Sequence, residues 1–271
     1  MTGPQTGYAP VDGLQMYYEI HGEGRPLVML HGAYMTIDSM GPILPALAAT
    51  RRVVGVEQQA HGHTADVDRP LTYEQMADDT AALLRHLGIE HADVFGYSMG
   101  GGIALQLAVR HPELVRRLVP ASVSYTSDGM HAVALEMFQS ITPELFAGSP
   151  IEEEYLRTAP NPRDFPRLVA KLRQLDTTPY AWPPEDLRGI AAPVMVVVGD
   201  SDVVRLEHAV ELFGLLGGGV MGDLAGLPQS QLVVLPGTSH FVPPGVGVLD
   251  RAEWLVPIIM AFLDAPMPEG H

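Results

Sequence analysis

Asp93-Val94-Phe95-Gly96-Tyr97-Ser98-Met99-Gly100-Gly101-Gly102 holds the spacing Gly96-x-Ser98-x-Gly100 at the junction of two unlike segments. The apolar Val94-Phe95 is the end of a strand. Gly101 to Val109 is rich in small and apolar residues and has the character of a helix. A serine on a sharp strand-to-helix turn has its hydroxyl lifted clear of the sheet, and the flanking glycines let the backbones approach closely. The N–H of Met99, at the start of the new helix, then points to where an oxyanion would form. The spacing alone arises by chance in about one chain in ten of this length and glycine content. The strand-turn-helix context and the partners below give it meaning.

Short apolar runs alternate with amphipathic ones on either side. Leu14–Ile20, Leu27–Leu30, Arg52–Val56, Ala92–Phe95, Val115–Val119, Val194–Val198 and Leu232–Leu235 are predicted strands. Pro42–Ala49, Thr72–Leu87, Leu206–Leu216 and Arg251–Leu263 are predicted helices, the last interrupted near Pro257. Thr72 with Gln75 has capping-box spacing, and Gly88 ends that helix. Strands alternating with helices predict a mostly parallel sheet covered on both faces. From 124 to 189 no buried strand is evident; prolines such as Pro143, Pro150, Pro160 and Pro166 break it into helical pieces. Residues 1–123 and 190–271 are thus predicted to form an α/β core, with 124–189 inserted between core strands as a helical lid.

A length of 271 residues suits one large α/β domain, and 46% hydrophobic residues suit a sizeable core. The chain has no cysteine, which excludes disulfides, thiol catalysis and thiolate metal sites. The formal charge of −16 repels nucleic acid and anionic membranes, so neither is an expected partner. No apolar run is long enough to span a bilayer. Met1 to Pro10 lacks a basic segment followed by an apolar one, so a cytoplasmic location is expected.

A serine hydroxyl is a poor nucleophile near neutral pH and needs a base, and that base needs an orienting group. Among eleven histidines, His240 follows the strand Leu232–Leu235 through Pro236-Gly237-Thr238-Ser239. That puts it at the sheet edge Ser98 occupies, since both follow strand C-termini. The strand Val194–Val198 leads into Gly199-Asp200-Ser201-Asp202. Asp200 competes with Asp202 there, and Asp202 is preferred. Serine, then acid, then histidine is the chain order expected for a triad on such a turn. His61-x-His63 could ligate a metal, but no third ligand is evident nearby, and no metal is expected. His31 is expected to make a structural hydrogen bond.

Four motifs in this order, Leu30-His31-Gly32-Ala33, Gly96-Tyr97-Ser98-Met99-Gly100-Gly101, Gly199-Asp200-Ser201-Asp202 and Gly237-Thr238-Ser239-His240, resemble those of the α/β-hydrolase-fold family. The resemblance covers nearly the whole chain and lies with the serine-nucleophile branch. It implies the second oxyanion N–H from Ala33, paired with Met99, and again selects Asp202. It implies no cofactor. The chain departs from the family pattern at Glu57-Gln58-Gln59-Ala60-His61-Gly62-His63-Thr64, where an arginine and a glycine often stand in place of Gln59 and Ala60. That bears on loop packing more than on chemistry. The glycine-rich stretch Gly217–Asp223 lengthens the interval between Asp202 and His240, as a flexible surface loop. Phe241-Val242-Pro243-Pro244-Gly245 is unusual and is expected to shape the pocket.

The function expected is cleavage of small-molecule carboxylic esters through an acyl-enzyme. A C–C bond hydrolase, a lactonase and a cofactor-free perhydrolase are the alternatives on the same fold, and a non-catalytic small-ligand receptor is the alternative of another class. Serine at the elbow argues against the haloalkane dehalogenase and epoxide hydrolase members, which use aspartate there. Tyr34, Met35, Tyr97, Met99, Met137, Phe138 and Phe241 are the expected apolar lining.

Overall fold

The computed structural model describes residues 3–241 and 245–267. One sheet contains β1 (Gln5–Val11), β2 (Leu14–His21), β3 (Arg25–Leu30), β4 (Arg51–Val56), β5 (Ala92–Tyr97), β6 (Val115–Ala121), β7 (Met195–Ser201) and β8 (Gln231–Ser239). Around it lie α1 (Ile43–Ala48), α2 (Tyr73–His86), α3 (Met99–Arg110), α4 (Ala132–Ser140) and α5 (Pro150–Thr158). They are followed by α6 (Phe165–Thr177), α7 (Pro184–Arg188), α8 (Leu206–Leu215), α9 (Gly222–Ala225) and α10 (Ala252–Asp264).

The strand order is β1-β2-β4-β3-β5-β6-β7-β8. β1 and β2 pair antiparallel, as do β2 and β4, and every later pair is parallel. β1 was not among the strands expected, because its apolar positions are sparse. Asp12-Gly13, both at positive φ, is nevertheless the hairpin turn that joins it to β2.

Side-chain alternation explains why the central strands look apolar throughout. Leu27 and Met29 of β3 face one side, with Val53, Phe95, Val119 and Val197. Val28 and Leu30 face the other, with Val54, Val94, Leu118 and Val196. α1 and α10 cover the first face through Ile43, Leu47, Ile259 and Phe262. α2, α3 and α8 cover the second through Met76, Leu83, Ile103, Leu107 and Leu212. Such two-sided burial is what parallel strands with crossover helices produce.

Four local expectations need correction. α10 runs unbroken through Pro257. Proline inside a helix costs about 3 kcal/mol, but Leu255, Ile259, Phe262 and Leu263 are buried on this helix, and each such side chain contributes roughly 1.5–3 kcal/mol. β8 continues past Leu235 to Ser239, because a bulge lets Ser239 pair with Ser201 after Leu235 pairs with Gly199. The Thr72 cap forms, its Oγ1 accepting from Gln75 N at 3.1 Å, but the Gln75 side chain turns to Asp79 rather than back to the cap. The stretch 217–223 also carries the start of α9.

Between β6 and β7 the chain leaves the sheet for α4, α5, α6 and α7. Its departure and return are tied together. Ser127 N donates to Tyr180 O at 2.9 Å, Trp182 N donates to Tyr125 O at 3.0 Å, and Thr126 bridges Ala181. A paired neck therefore closes the segment that holds α4, α5 and α6. No helix among the described residues is long and apolar enough to cross a membrane.

Candidate active site

The order of strands decides where a site can form. From β3 the chain steps to β4 on one side, then crosses to β5 on the other. The loops leaving β3 and β5 are thus neighbours at a topological switch point, where open parallel sheets leave a crevice. Ser98 follows β5 there, with φ 55° and ψ −118°. That is a left-handed conformation disfavoured for a residue with a side chain. It is held from both sides: Ser98 N donates to Ala121 O at 2.9 Å, and Ser98 O accepts from Gly101 N at 2.8 Å.

Glycine is required at two positions around it. A Cβ on Gly96 would lie 2.1 Å from the Gly100 carbonyl oxygen, and one on Gly100 would lie 2.2 Å from the Leu30 carbonyl oxygen. These approaches press the start of α3 against the end of β3. They bring Met99 and Ala33 to the same crevice. As the first helical residue, Met99 has an N–H with no carbonyl one turn back to accept it. The Ala33 N–H has no partner among the described residues.

His240 follows β8 and bridges the other two groups. Its Nε2 lies 3.0 Å from Ser98 Oγ, and its Nδ1 lies 2.8 Å from Asp202 Oδ1. A carboxylate only accepts, so Nδ1 carries the proton and Nε2 accepts from the serine hydroxyl. Asp202 is buried and also accepts from Ser122 Oγ at 2.6 Å, Gly199 N at 3.3 Å and Val204 N at 3.3 Å. Burial alone would raise its pKa. The bonds from His240, Ser122 and Val204 outweigh burial and hold it below the usual carboxylate range. Asp200, its rival in the sequence, is exposed and accepts instead from Gly237 N and Thr238 N at 2.8 and 3.1 Å.

Three supports escaped the sequence reading. Ser122, at φ 54°, lies just past β6, and only the neighbourhood of β6 and β7 aims it at Asp202. Tyr97 Oη donates to the His240 carbonyl at 2.6 Å, and its ring stacks on the imidazole at 5.2 Å. His61 Nε2 accepts from Tyr34 N at 3.3 Å while its Nδ1 donates to Gln59 O at 2.9 Å, which anchors the loop carrying Ala33. His31 donates to Gly32 O at 2.8 Å and accepts from Gln58 N at 3.2 Å. Burial pushes His31 down to about 4 and, with the neighbouring His31 ring adding to it, His61 down to about 3, so both are neutral. His63 turns away from His61 and pairs with Glu57 at 3.0 Å. Ala60, where the family often has glycine, stands at φ 65°.

Ser98 and His240 open into a cavity of about 400 Å³. Tyr34, Met35, Tyr97, Met99, Met137, Phe138 and Phe241 all line it. Sequence reasoning missed Tyr73, Phe146, Ile151, Glu154, Asp176 and Tyr180, which complete the wall. α4, α5 and α6 supply much of that wall, so the segment between β6 and β7 faces the serine directly. Of the loop expected to shape the pocket, Phe241 does line it, while Val242, Pro243 and Pro244 lie outside the described residues.

The family model described as alpha/beta hydrolase fold matches residues 25–151. A 2-hydroxymuconate semialdehyde hydrolase of Pseudomonas sp. strain CF600 is 37% identical over 45% of this chain and 46% of its own. The chain thus spans about half the length of that curated relative. A pimeloyl-[acyl-carrier protein] methyl ester esterase of Yersinia enterocolitica is 28% identical over 83% of this chain and 90% of its own. The carboxylesterase CesB of Bacillus subtilis superposes with a TM-score of 0.76 at 17% identity, covering 98% of this chain and 93% of that one. A meta-cleavage product hydrolase of Pseudomonas fluorescens superposes with a TM-score of 0.74 at 19% identity, covering 96% and 97%. The two superpositions show a shared fold. This chain has the α/β-hydrolase fold.

Proposed function

We propose that this α/β-hydrolase-fold chain is a serine hydrolase of carboxylic esters, with Ser98, His240 and Asp202 as its triad. The observation that carries the reading is the unbroken relay from Asp202 through His240 to Ser98, at 2.8 and 3.0 Å, facing one cavity. His240 takes the Ser98 proton as Oγ attacks the ester carbonyl. The N–H groups of Ala33 and Met99 hold the oxyanion; each such donor is worth roughly 100- to 1,000-fold in rate. His240 then gives its proton to the departing alcohol. Water, deprotonated by His240 in turn, releases the acid and restores Ser98. Asp202 keeps the imidazole tautomer and stabilises the imidazolium. The helices between β6 and β7 act as the lid, excluding bulk water from the crevice. No step calls for a cofactor.

The resemblance to the muconate semialdehyde hydrolase supports C–C bond cleavage as a second reading. The cavity wall weighs against it. A muconate is a carboxylate, whereas the charged side chains other than His240 in the lining are Glu154 and Asp176, with no lysine or arginine among them. The lining offers the carboxylate of such a substrate no lysine or arginine to pair with.

A fluorophosphonate probe, followed by a panel of esters, lactones and a vinylogous diketone, tests the reading. Ser98 is expected to be labelled, and Ser98→Ala, folded by circular dichroism, to lose ester turnover. An unlabelled Ser98 would favour a ligand receptor. A folded Ser98→Ala protein with undiminished ester turnover would end the triad assignment.

A further inference from the structure

Asp176 is the one lining carboxylate that the chemistry above does not use and that forms no ion pair among the described residues. It sits near the end of α6, on the wall shared with Ser98 and His240. No hydrogen bond or ion pair joins its side chain to another described residue. Burial drives its pKa up to about 7, and only the charge of nearby His240 acts against that. Glu154 differs. It is paired with Arg157 at 2.6 Å and accepts from Thr36 at 3.3 Å. Arg173, on the same helix as Asp176, is exposed and donates to Ile141 O at 3.4 Å, outside the lining.

The groups around Asp176 are aromatic. Its charge acts on the Tyr34, Tyr73 and Tyr180 hydroxyls, and all three residues line the cavity. The rings of Tyr73 and Tyr180 lie 5.5 Å apart at 54°, so two π faces meet at an angle. The buried Tyr34 Oη has no hydrogen-bond partner among the described residues. A carboxylate with no described cation beside it and a buried phenol with no hydrogen-bond partner share one aromatic wall, and both would gain from a polar or charged group that a ligand would bring. Carboxylate plus ring faces is the chemistry that holds organic cations, through Coulomb attraction and the negative faces of the rings. The formal charge of −16 adds a field that draws cations towards the protein.

We propose that Asp176, Tyr34, Tyr73 and Tyr180 form a subsite for the protonated amine or quaternary ammonium group of a cationic ester. The proposal rests on the ester-hydrolase reading for the reaction, but the subsite can be tested without turnover. Benzyltrimethylammonium and its uncharged isostere neopentylbenzene differ by one charge at nearly constant shape. Calorimetry on Ser98→Ala is expected to find the cation bound at least about tenfold more tightly. Asp176→Asn in the same background is expected to erase most of that difference. The ligand comparison with Asp176 in place needs no change to the wall, so it stands even if Asp176→Asn folds poorly.

With the unsubstituted enzyme, a choline ester is expected to exceed the 3,3-dimethylbutyl ester of the same acid in kcat/KM by a similar factor. Equal or tighter binding of neopentylbenzene would overturn the subsite and leave ester hydrolysis standing. Failure to cleave any ester, with Ser98 unlabelled, would overturn the hydrolase reading. The calorimetric comparison would still decide whether the wall takes a cation.

Discussion

Tyr97 Oη donates to the carbonyl of His240 at 2.6 Å, so the residue before Ser98 holds the backbone of His240. The two residues are 143 positions apart in sequence, and the bond fixes the distance between β5 and the end of β8. Tyr97→Phe keeps the ring stack and removes the donor. It is expected to destabilise by about 0.5–1.5 kcal/mol, because the carbonyl loses its short bond and keeps only the one from Val248 N at 3.4 Å. It is also expected to lower kcat by about tenfold through a looser imidazole. Denaturant titration and steady-state kinetics check both. Wild-type kcat in the folded variant would show that the tether does not position His240.

The two aspartates of the loop after β7 can be told apart. Asp202→Asn is expected to lower kcat by roughly 10⁴-fold, because an amide can donate to Nδ1 and so favour the wrong tautomer. Asp200→Asn should cost less than about tenfold, since Asp200 is exposed and, among the described residues, hydrogen-bonds only to the backbone of Gly237 and Thr238 and the Ser201 hydroxyl. Losses of the same size in both variants would refute the assignment of the acid.

Packing under the elbow sets a third expectation. A Cβ on Gly100 would stand 2.2 Å from Leu30 O and 2.7 Å from His31 O, both backbone atoms that cannot step aside. Gly100→Ala is expected to cost at least about 2 kcal/mol and to reduce turnover by moving Met99 N from the crevice. Thermal unfolding that leaves Tm within a degree of the parent would refute this packing.

Acid sensitivity follows from His31 and His61. In the unfolded chain each imidazole takes a proton near pH 6.5, but in the folded protein only near 4 and 3. In between, the unfolded chain binds more protons, so each group's stabilising contribution is full above about 6.5 and shrinks as pH falls. The slope approaches about 1.4 kcal/mol per pH unit for each group. Asp176, whose pKa is raised, acts in the opposite direction below about 7, so a difference between proteins is the clean measure. His61→Gln keeps an acceptor for Tyr34 N and is expected to flatten the slope between pH 4.5 and 6.5. Parallel stability curves for the two proteins would rule out a buried neutral His61.

Ser98, Asp202 and His240 were legible because each ends a short apolar strand, and parallel strands bring their C-terminal loops to one edge. The supports were not. Ser122 looks like any serine after a strand, and its role depends on β7 lying beside β6. Asp176 sits in Arg173-Gln174-Leu175-Asp176-Thr177, a stretch that looks like a solvated helix end. Only the packing of α6 against α4 and α5 puts it on the wall it shares with the serine. Pro257 misled for the opposite reason, since local propensity predicted a break that tertiary burial overrode.

The neck formed by Tyr125–Ser127 and Tyr180–Trp182 makes the segment between a cassette with fixed terminals. Loop-closure entropy grows only with the logarithm of length, so once the neck is paired, the cost of a change within 128–179 is set by packing, chiefly that of Phe165, Leu168 and Leu172 against the core, rather than by length. Ser98, His240 and Asp202 all lie outside that clasp. A library that splices foreign helical segments at the neck would therefore vary what the crevice admits while leaving Ser98, His240 and Asp202 on an untouched frame, which makes this junction a natural graft point for retargeting the protein.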